Sequence, residues 1–531
     1  MRSLPLEHPE SIVAADDWRA DSLVHSVVLW LALIAVQRAV GFFRAILFCR
    51  WLDAEQLGQW DMAFGFLMLA GPLAMLALPG TFGRYAEYYR LRGQLRAFLA
   101  RTSTACILLT LAAVMLIVLY RRGFSEFIFG SSGQTNLVLL LAAGLVAVGA
   151  YNYFISLLTA LRKVRLAAAM EFVNGVLFAA LGIVLLLTWR CDSASVVIAY
   201  GGSCLLSILT VSWWVKAAWK GSPAGNEFLP RRSMWTKLIP FAAWILSINM
   251  LTNLFGIADR YMIIHFVPGS AEAALALVGQ YHSSRVAPLL LVSIASMLAT
   301  VLLPHLCHDW ESGRRDLVAS RLNLFLKLLA YGLIAASGAV LFVAPWLFGV
   351  AFQGKFAGGM AVLPWTLAYC VWFGTAMVAQ QYLWCAERAS LVGLALGAGL
   401  AVNVALNLAL LPHLGLLGAV LAASAANLVA LALILIFSRF AGFHAHRGLW
   451  IILSLAPAIC LGAWATVGVL LGIALEAIRT DQILTSEEKH QLSEGVKNYW
   501  NNIIKGLSRL PFPDRRRGAR TGAGGEGPCK P

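Results

Sequence analysis

Apolar residues run along nearly the whole chain in long stretches, and short polar segments separate them. A bilayer-spanning helix needs about 20 predominantly apolar residues. By this criterion we predict helices over residues 23–48, 60–80, 97–120, 136–160, 167–189, 194–219, 236–265, 273–303, 320–350, 360–385, 390–411, 415–440 and 449–475. The pattern predicts an all-α polytopic membrane protein.

Composition agrees with this prediction, because 60% of the 531 residues are hydrophobic and only 13% are charged. Soluble domains carry about 25% charged residues. The net charge of +15 lies mainly in the loops, so it does not indicate a nucleic-acid partner. The nine cysteines include no C-x-x-C pair, and we predict no disulfide framework, metal site, cofactor or catalytic centre.

Lysine and arginine are distributed unevenly between alternate loops. Loops after even-numbered predicted helices hold 18 of them, whereas the loops on the other side hold six. Cytoplasmic loops carry the excess of basic residues. This predicts that the N-terminus is cytoplasmic, and the acidic residues of segment 1–22 argue against a cleavable signal peptide.

A polar, basic stretch near residue 220 divides the predicted helices into two groups of six. The predicted organisation is a cytoplasmic N-terminal segment (1–22), an N-terminal six-helix half (23–219), a cytoplasmic linker (220–235), a C-terminal six-helix half (236–440), an extra transmembrane segment (449–475), and an amphipathic helix with a disordered basic tail (476–531). Thr485 and Glu488 have the spacing of a capping box that starts this helix. The total of 12, 13 or 14 crossings stays open, as does the side of the tail.

The two halves show a weak internal repeat. The sequence LGQW (57–60) opens the second predicted helix and VGQY (278–281) opens the eighth, while Pro79 and Pro304 are expected to close these helices. Both halves begin on the cytoplasmic side, so the repeat is parallel. Pseudo-symmetric halves with a substrate site between them are typical of transporters.

Three arginines lie deep in the predicted membrane segments, namely Arg38, Arg44 and Arg285. An arginine at mid-bilayer costs about 2.5–3.5 kcal/mol on insertion scales. Arg44 has the alternative of reaching the outer interface with its long side chain, whereas Arg38 is too deep to do so easily. We predict that these cations line a cavity between the halves and bind an anionic substrate.

Several motifs resemble those of polysaccharide and lipid-linked oligosaccharide flippases of the MOP exporter superfamily. The stretch QRAVGFFRAILFCRWLDAEQLGQW is similar to the first helix and turn of that group, and IADRYMI with VGQYHSSRVAPLLLV resembles the start of its second half. AVNVALNLALLPHLGLLGAVLAAS (401–424) is the most specific match. The residues that carry these patterns are Gly41, Gly58, Asn403, Asn407, Pro412, Gly415 and Gly418.

This resemblance implies two pseudo-symmetric six-helix halves around a central cavity in the bacterial inner membrane. The implied substrate is a polyprenyl-pyrophosphate-linked oligosaccharide, with membrane lipid around it and polysaccharide polymerase or glycosyltransferases as pathway partners. Lipid II flippases of the superfamily carry an aspartate directly after the second arginine, where this chain has Ala45, so lipid II is disfavoured.

Three further titratable residues are candidates for ion coupling, namely Glu171, Asp259 and His282. An inside-negative potential opposes outward movement of an anion, so transport needs an ion gradient or downstream consumption of the product. Glu171 has the alternative role of an interfacial carboxylate, and Asp259 that of a local ion pair with Arg260.

Two other functions are compatible with parts of the pattern. A multidrug or cation antiporter of the same superfamily would need deep carboxylates, whereas the deep charges here are mainly arginines. A membrane glycosyltransferase would use Asp53 and Glu55 of the first outer loop to bind a metal. We expect instead that Asp53 and Gln56 form a capping box.

Overall fold

The computed structural model describes residues 23–221, 229–494 and 497, and this part of the chain is helical without any strand. The helices are α1 (Leu23–Trp51), α2 (Ala54–Ala74), α3 (Phe82–Arg90), α4 (Leu95–Leu119), α5 (Arg121–Phe129), α6 (Thr135–Ala160), α7 (Val164–Thr188), α8 (Ser193–Gly221), α9 (Arg231–Phe266), α10 (Ala271–Glu311), α11 (Arg315–Trp346), α12 (Ala357–Cys385), α13 (Ala389–Leu414), α14 (Leu416–Phe440), α15 (Arg447–Leu455) and α16 (Ala463–Arg479). The predicted segment 1–22 and most of the predicted basic tail lie outside the described residues.

The long helices have the length and composition of membrane spans, which confirms the predicted fold class. Among the described residues, ten helices are long and apolar enough to cross a bilayer, and the bent pair of α2 and α3 raises this to eleven. Many large apolar side chains face outward, such as Leu111, Met115 and Leu119 of α4. In a water-soluble protein such surfaces would favour aggregation, whereas lipid solvates them.

Two groups of six long helices form the predicted halves. The N-terminal half contains α1, α2, α4, α6, α7 and α8, and the C-terminal half contains α9 to α14. Within the halves, α7 packs on α8 and α13 packs on α14, while α2 and α10 form the main contact between them. Helices α1, α7 and α11 end on the same side of the bundle. We call this side the outer end, because the loop charges predict that it faces outside. Arg50, Trp51, Cys191 and Val350 lie together there.

Helix α9 packs against both halves. Near its start, Met234 and Leu238 are buried with Phe82 and Phe98 of the N-terminal half. Near its end it packs on α13, where a side chain at Gly399 would meet the ring of Phe255 at 2.9 Å. Its 36 residues thus connect the two halves beyond the linker.

Several predicted boundaries were wrong. Helix α2 begins six residues earlier than expected and ends at Ala74, because Leu76 and Ala77 adopt left-handed backbone conformations (φ 49° and 50°). The chain then bends by 61° into α3. Pro304 lies inside α10, which continues to Glu311, so this proline does not close the helix.

The predicted extra segment 449–475 is not one continuous helix. It consists of α15, a short 3-10 helix over Ala456–Leu461, and α16, with Gly462 at φ 105° between the last two. Glycine adopts such a positive φ without the steric cost that a side chain imposes, so Gly462 interrupts the helix.

The C-terminal unit, residues 472–531, is compact by itself where it is described. Residues 486–494 are helical, and the predicted capping box precedes them. The backbone N–H of Thr485 donates to Glu488 Oε2 at 2.8 Å, and the N–H of Glu488 donates to Thr485 Oγ1 at 3.3 Å. Apart from residue 497, the part of the predicted amphipathic helix and tail beyond residue 494 lies outside the described residues.

Candidate functional site

A polar cavity of about 360 Å³ lies between the two halves. Helices α1, α6 and α7 of the N-terminal half line one side, and α10 of the C-terminal half lines the other. The lining residues are Ile34, Gln37, Arg38, Tyr151, Glu171, Ser296, Met297 and Thr300. Helix α10 contributes two hydroxyl residues and a methionine, whereas the charged lining residues, Arg38 and Glu171, both come from the N-terminal half.

Arg38 is the cation of this cavity. Its side chain is exposed to the cavity, and Glu171 of α7 interacts with it electrostatically. The neighbouring Gln37 donates its Nε2 to the backbone oxygen of Glu171 at 3.2 Å, which ties α1 to α7. Gly175 leaves room for this contact, because a Cβ there would lie 3.1 Å from Gln37. The deep arginine of α1 therefore faces a water-accessible space rather than lipid.

Arg44 has a different environment from Arg38. Its guanidinium lies 4.0 Å from the centroid of the Phe178 ring, and Phe178 packs in turn against Trp60 and Tyr200. A cation over an aromatic face is stabilised by the ring quadrupole. Arg44 thus lies against an aromatic cluster inside the N-terminal half and is not among the residues that line the Arg38 cavity.

The other candidate residues lie together nearer the outer end, in the C-terminal half. Asp259 of α9 is buried and accepts hydrogen bonds from Asn403 Nδ2 (2.7 Å), Asn407 Nδ2 (3.0 Å) and the Tyr281 hydroxyl (3.1 Å). Asn403 and Asn407 occupy successive turns of α13, so both reach the same carboxylate. The predicted Asn-x-x-x-Asn motif therefore holds a buried acid, and Arg260 does not form the expected local pair with it.

Arg260 instead pairs with an acid of the other half. Its Nε lies 3.1 Å from Oδ2 of Asp61 in α2, and His282 Nδ1 lies 2.8 Å from Oδ1 of the same carboxylate. Arg285, one turn beyond His282, interacts electrostatically with Tyr369 and with Asp61. Arg260 and Asp61 are buried to 8% and 4% exposure. This charged group lies at the contact between α2 and α10.

Sequence reasoning missed Asp61 and Tyr369. Asp61 is the single charged residue within the apolar run GQWDMAFGF, so the signal was present. Charged residues inside a membrane helix are expensive and mark functional contacts. Tyr369 carried no such signal, because a tyrosine in an apolar helix is common.

Two of the motif glycines have a clear structural role. A Cβ on Gly58 would lie 1.9 Å from the backbone oxygen of Leu275, so only glycine permits the approach of α2 to α10. Gly415 adopts φ 53° and ψ −130° between α13 and α14, a conformation essentially restricted to glycine. Pro412 lies in the last turn of α13, and Gly418 packs on the Leu410 backbone. A Cβ on Gly41 would meet only the Arg44 guanidinium, at 3.9 Å.

The prediction of a capping box in the first outer loop is wrong. Asp53 occupies the N-cap position of α2, but its side chain makes no capping hydrogen bond. Gln56 instead accepts a hydrogen bond from the backbone N–H of Ser193 (2.8 Å). Asp53 is 82% exposed and pairs with Lys355 at 3.5 Å. The described residues contain no group of three or more His, Cys, Asp or Glu residues that could hold a metal ion.

The two helical halves thus enclose a polar cavity, and a buried ion pair joins them where α2 contacts the C-terminal half. The family model described as "Polysaccharide biosynthesis protein" matches residues 23–308, which is more than half of the chain. The chain belongs to this polysaccharide biosynthesis family, as the sequence motifs predicted.

Solved structures with the same fold are membrane transporters. The lipid II flippase MurJ in its inward closed conformation has a TM-score of 0.62 at 15% identity, covering 84% of this chain and 98% of that one. An inward-facing multidrug resistance MATE family transporter of the MOP superfamily has a TM-score of 0.60 at 11% identity, covering 78% and 98%. At such identities the likeness establishes the fold alone. No curated protein sequence matches the chain.

Proposed function

We propose that this protein moves a polyprenyl-pyrophosphate-linked oligosaccharide repeat unit across the bacterial cytoplasmic membrane for cell-surface polysaccharide biosynthesis. The observation that carries the proposal is the position of Arg38, a cation in a polar cavity between two pseudo-symmetric halves. The family match is consistent with it. The protein acts as a transporter and not as an enzyme in this proposal.

The chemistry of the substrate suits this arrangement. The diphosphate is anionic, and a guanidinium binds two phosphate oxygens at once with charge-assisted hydrogen bonds. The glycan needs an aqueous space, which the cavity between the halves supplies, while the lipid tail stays in the bilayer. Arg44 lies six residues further along α1, about 9 Å toward the outer end. Arg285 would contact the diphosphate later on the same outward path.

The proposal also includes residues that couple transport to the movement of an ion. Glu171 shares the cavity with Arg38, so substrate and carboxylate compete for the same cation. Asp259 and His282 belong to the buried polar groups near the outer end. Because an inside-negative potential opposes export of an anion, we propose that one of these three groups exchanges an ion during the cycle.

The proposed setting is the bacterial inner membrane with a cytoplasmic N-terminus. The linker and the other basic loops then face the cytoplasm, where lipid-linked oligosaccharides are assembled on the inner leaflet. Glycosyltransferases supply the substrate in this scheme, and a polysaccharide polymerase consumes it outside.

Substitutions of Arg38 test the proposal directly. In a strain lacking its own copy, Arg38→Lys, Arg38→Gln and Arg38→Ala are expressed at matched membrane levels and surface polysaccharide is measured. We expect wild type to exceed Lys, since lysine keeps the charge but loses the planar fork, and Lys to exceed Gln and Ala. The matched control is Arg50→Ala, at the outer end of the same helix, where the guanidinium hydrogen-bonds, within the described part of the chain, only to the Val350 backbone oxygen (3.4 Å). Full export by Arg38→Ala would refute the proposed role of the cavity.

The antiporter remains the second candidate, because Glu171 supplies a carboxylate to the same cavity. A cationic drug would bind this acid and be repelled by Arg38. The same variants therefore distinguish the two functions when drug resistance is measured beside surface polysaccharide. An antiporter would lose resistance in Glu171→Gln and keep or gain it in Arg38→Ala, with polysaccharide unchanged.

A glycosyltransferase has less support. Asp53 is highly exposed and pairs with Lys355, and Glu55 accepts a hydrogen bond from Gln59 (3.0 Å). Neither acid is held toward a common point where a metal ion would bind.

A further inference from the structure

The contact between α2 and α10 at the outer end is pseudo-symmetric. A Cβ on Gly58 would lie 1.9 Å from the Leu275 oxygen, and a Cβ on Gly279 would lie 1.8 Å from the Ala54 oxygen. Gly279 follows Gly58 by 221 residues, and Leu275 follows Ala54 by the same number. In a contact around a two-fold axis each interaction occurs twice. The two copies of the repeat, LGQW in α2 and VGQY in α10, thus lie at a contact that crosses the pseudo-two-fold axis relating the halves.

The next pair of equivalent positions holds an acidic residue in one half and a basic residue in the other. Asp61 and His282 are again 221 residues apart, and their side chains meet at 2.8 Å. Arg260, also of the C-terminal half, brings a guanidinium to the same carboxylate, at 3.1 Å. The acid therefore belongs to one half, and its histidine and arginine partners belong to the other.

The C-terminal half alone has an excess of positive charge at this point. Its own acid, Asp259, is already held by two asparagines and the Tyr281 hydroxyl. Arg285 lies beside the Tyr281 ring, and its buried Nε has no hydrogen-bond acceptor among the described residues. The Nε of Arg260 and Oδ2 of Asp61 are close but not aligned for a hydrogen bond. Donors of both arginines are thus available to a better-placed acceptor.

We propose that Arg260, His282 and Arg285 form a second anion site, which the Asp61 carboxylate fills in this state. The proposal rests on the proposed function, because the occupant is the diphosphate of the transported lipid. When α2 and α10 separate at the outer end, Asp61 leaves with the N-terminal half, and Arg260 and Arg285 lose the negative charge of its carboxylate. Uncompensated charges in a low-dielectric site are strongly unfavourable. An incoming diphosphate replaces Asp61 and so favours outer opening only when substrate is present.

The position of the site fits an outward path. Ser296 of α10 lines the Arg38 cavity. Arg285 lies 11 residues nearer the outer end of the same helix, a distance of about 16 Å. His282 lies one further turn outward. A diphosphate that leaves Arg38 therefore meets Arg285 first, and Arg260 and His282 next.

Binding of inorganic pyrophosphate to the purified full-length protein tests this site. We expect Asp61→Asn to tighten binding at least tenfold, because the competing carboxylate is gone while the shape of the side chain is kept. Asp61→Asn/Arg260→Gln should lose this gain. The control is Asp192→Asn, an acid that accepts hydrogen bonds from Ser195 and forms no ion pair among the described residues. This control should bind pyrophosphate as wild type does.

A cross-link at the outer end tests whether the gain in pyrophosphate affinity depends on opening at that end. Asp53 and Lys355 belong to different halves and their side chains pair at 3.5 Å, so Asp53→Cys/Lys355→Cys in a Cys191→Ser background should be bridged by a short thiol-reactive cross-linker with a reducible disulfide, which holds the outer end closed. In an Asp61→Asn chain with this pair, the gain in pyrophosphate affinity should disappear on cross-linking and return on reduction. Thermal unfolding verifies that each variant folds, and Asp61→Ala replaces Asp61→Asn if the latter does not.

The outcomes separate the two proposals. Unchanged pyrophosphate binding in folded Asp61→Asn and Asp61→Ala, or a gain that survives the cross-link, would overturn the second site even if Arg38 variants fail to export. Full export by Arg38→Ala would overturn the proposed function while leaving a gain in Asp61→Asn in place.

Discussion

At the scale of single residues, this protein places charged side chains inside the membrane only where other protein groups contact them. Asp259 illustrates this principle, since three hydrogen-bond donors surround its buried carboxylate. A buried charge without such partners would destabilise the fold by several kcal/mol. Arg38 differs because it lines a polar cavity, where Glu171 of α7 interacts with it electrostatically.

The asparagines of α13 should therefore contribute to stability through Asp259. Asn403→Ala removes the 2.7 Å hydrogen bond to the carboxylate, and we expect a loss of about 1–3 kcal/mol of stability, the cost of a missing partner for a buried charged group. The melting temperature in detergent measures it. Asn427→Ala is the control, because this buried asparagine of α14 donates only to the Ala423 backbone oxygen in its own helix. An equal loss in both variants would contradict the role of Asn403.

At the scale of elements, interruptions of the helices matter as much as the helices. Proline does not end α2 or α10, since Pro72 and Pro304 both lie inside them. The break after α2 comes instead from left-handed Leu76 and Ala77, which turn the chain toward α3. Such conformations in residues with side chains are unfavourable locally and persist only where the surrounding packing requires them.

The capping box of the C-terminal unit is an element that can be tested alone. Thr485→Ala removes the hydroxyl that accepts the Glu488 N–H, and N-cap replacements of this kind cost about 1 kcal/mol of helix stability. We expect faster amide hydrogen exchange over residues 487–490. Ser493→Ala is the control, because its hydroxyl bonds only to the His490 backbone oxygen. Exchange that stays at the wild-type rate in Thr485→Ala would show that the cap is dispensable.

At the scale of the whole molecule, the two halves meet through α2, α9 and α10, and the cavity lies between them toward the inner end. In the proposed transport cycle, this arrangement, closed where α2 contacts α10, is the state that receives the substrate from the cytoplasmic side. Its orientation in the membrane rests on the loop charges, because positively charged loops stay in the cytoplasm.

A native cysteine allows a test of this orientation. Cys191 is exposed in the short loop between α7 and α8, so a membrane-impermeant maleimide should label it in intact cells. Cys191→Ser should abolish that labelling. In the same background, Ala224→Cys in the linker should react only after the membrane is permeabilised. Labelling of residue 224 in intact cells would reverse the topology and the direction of transport with it.

The sequence alone determined the fold class, the two halves and the residues with exceptional chemistry. These features follow from local properties, namely the length of apolar runs, the charge of the loops and the cost of placing Arg38, Asp259 or Arg285 in a membrane helix. Pattern also predicted that Gly58 and Gly279 are equivalent, as members of a repeat. Each of these inferences depends on residues that are near one another in the chain.

Only the tertiary structure decided which charged residues act together. Asp61 and Arg260 are about 200 residues apart in the chain, and no local pattern indicates that helices α2 and α9 lie close enough for these two residues to pair. Arg44 likewise lies against Phe178 because of the way α1 packs on α7, which its spacing from Arg38 did not reveal. The physical reason is that an ion pair within a membrane protein depends on the distance between helices, and packing alone determines that distance.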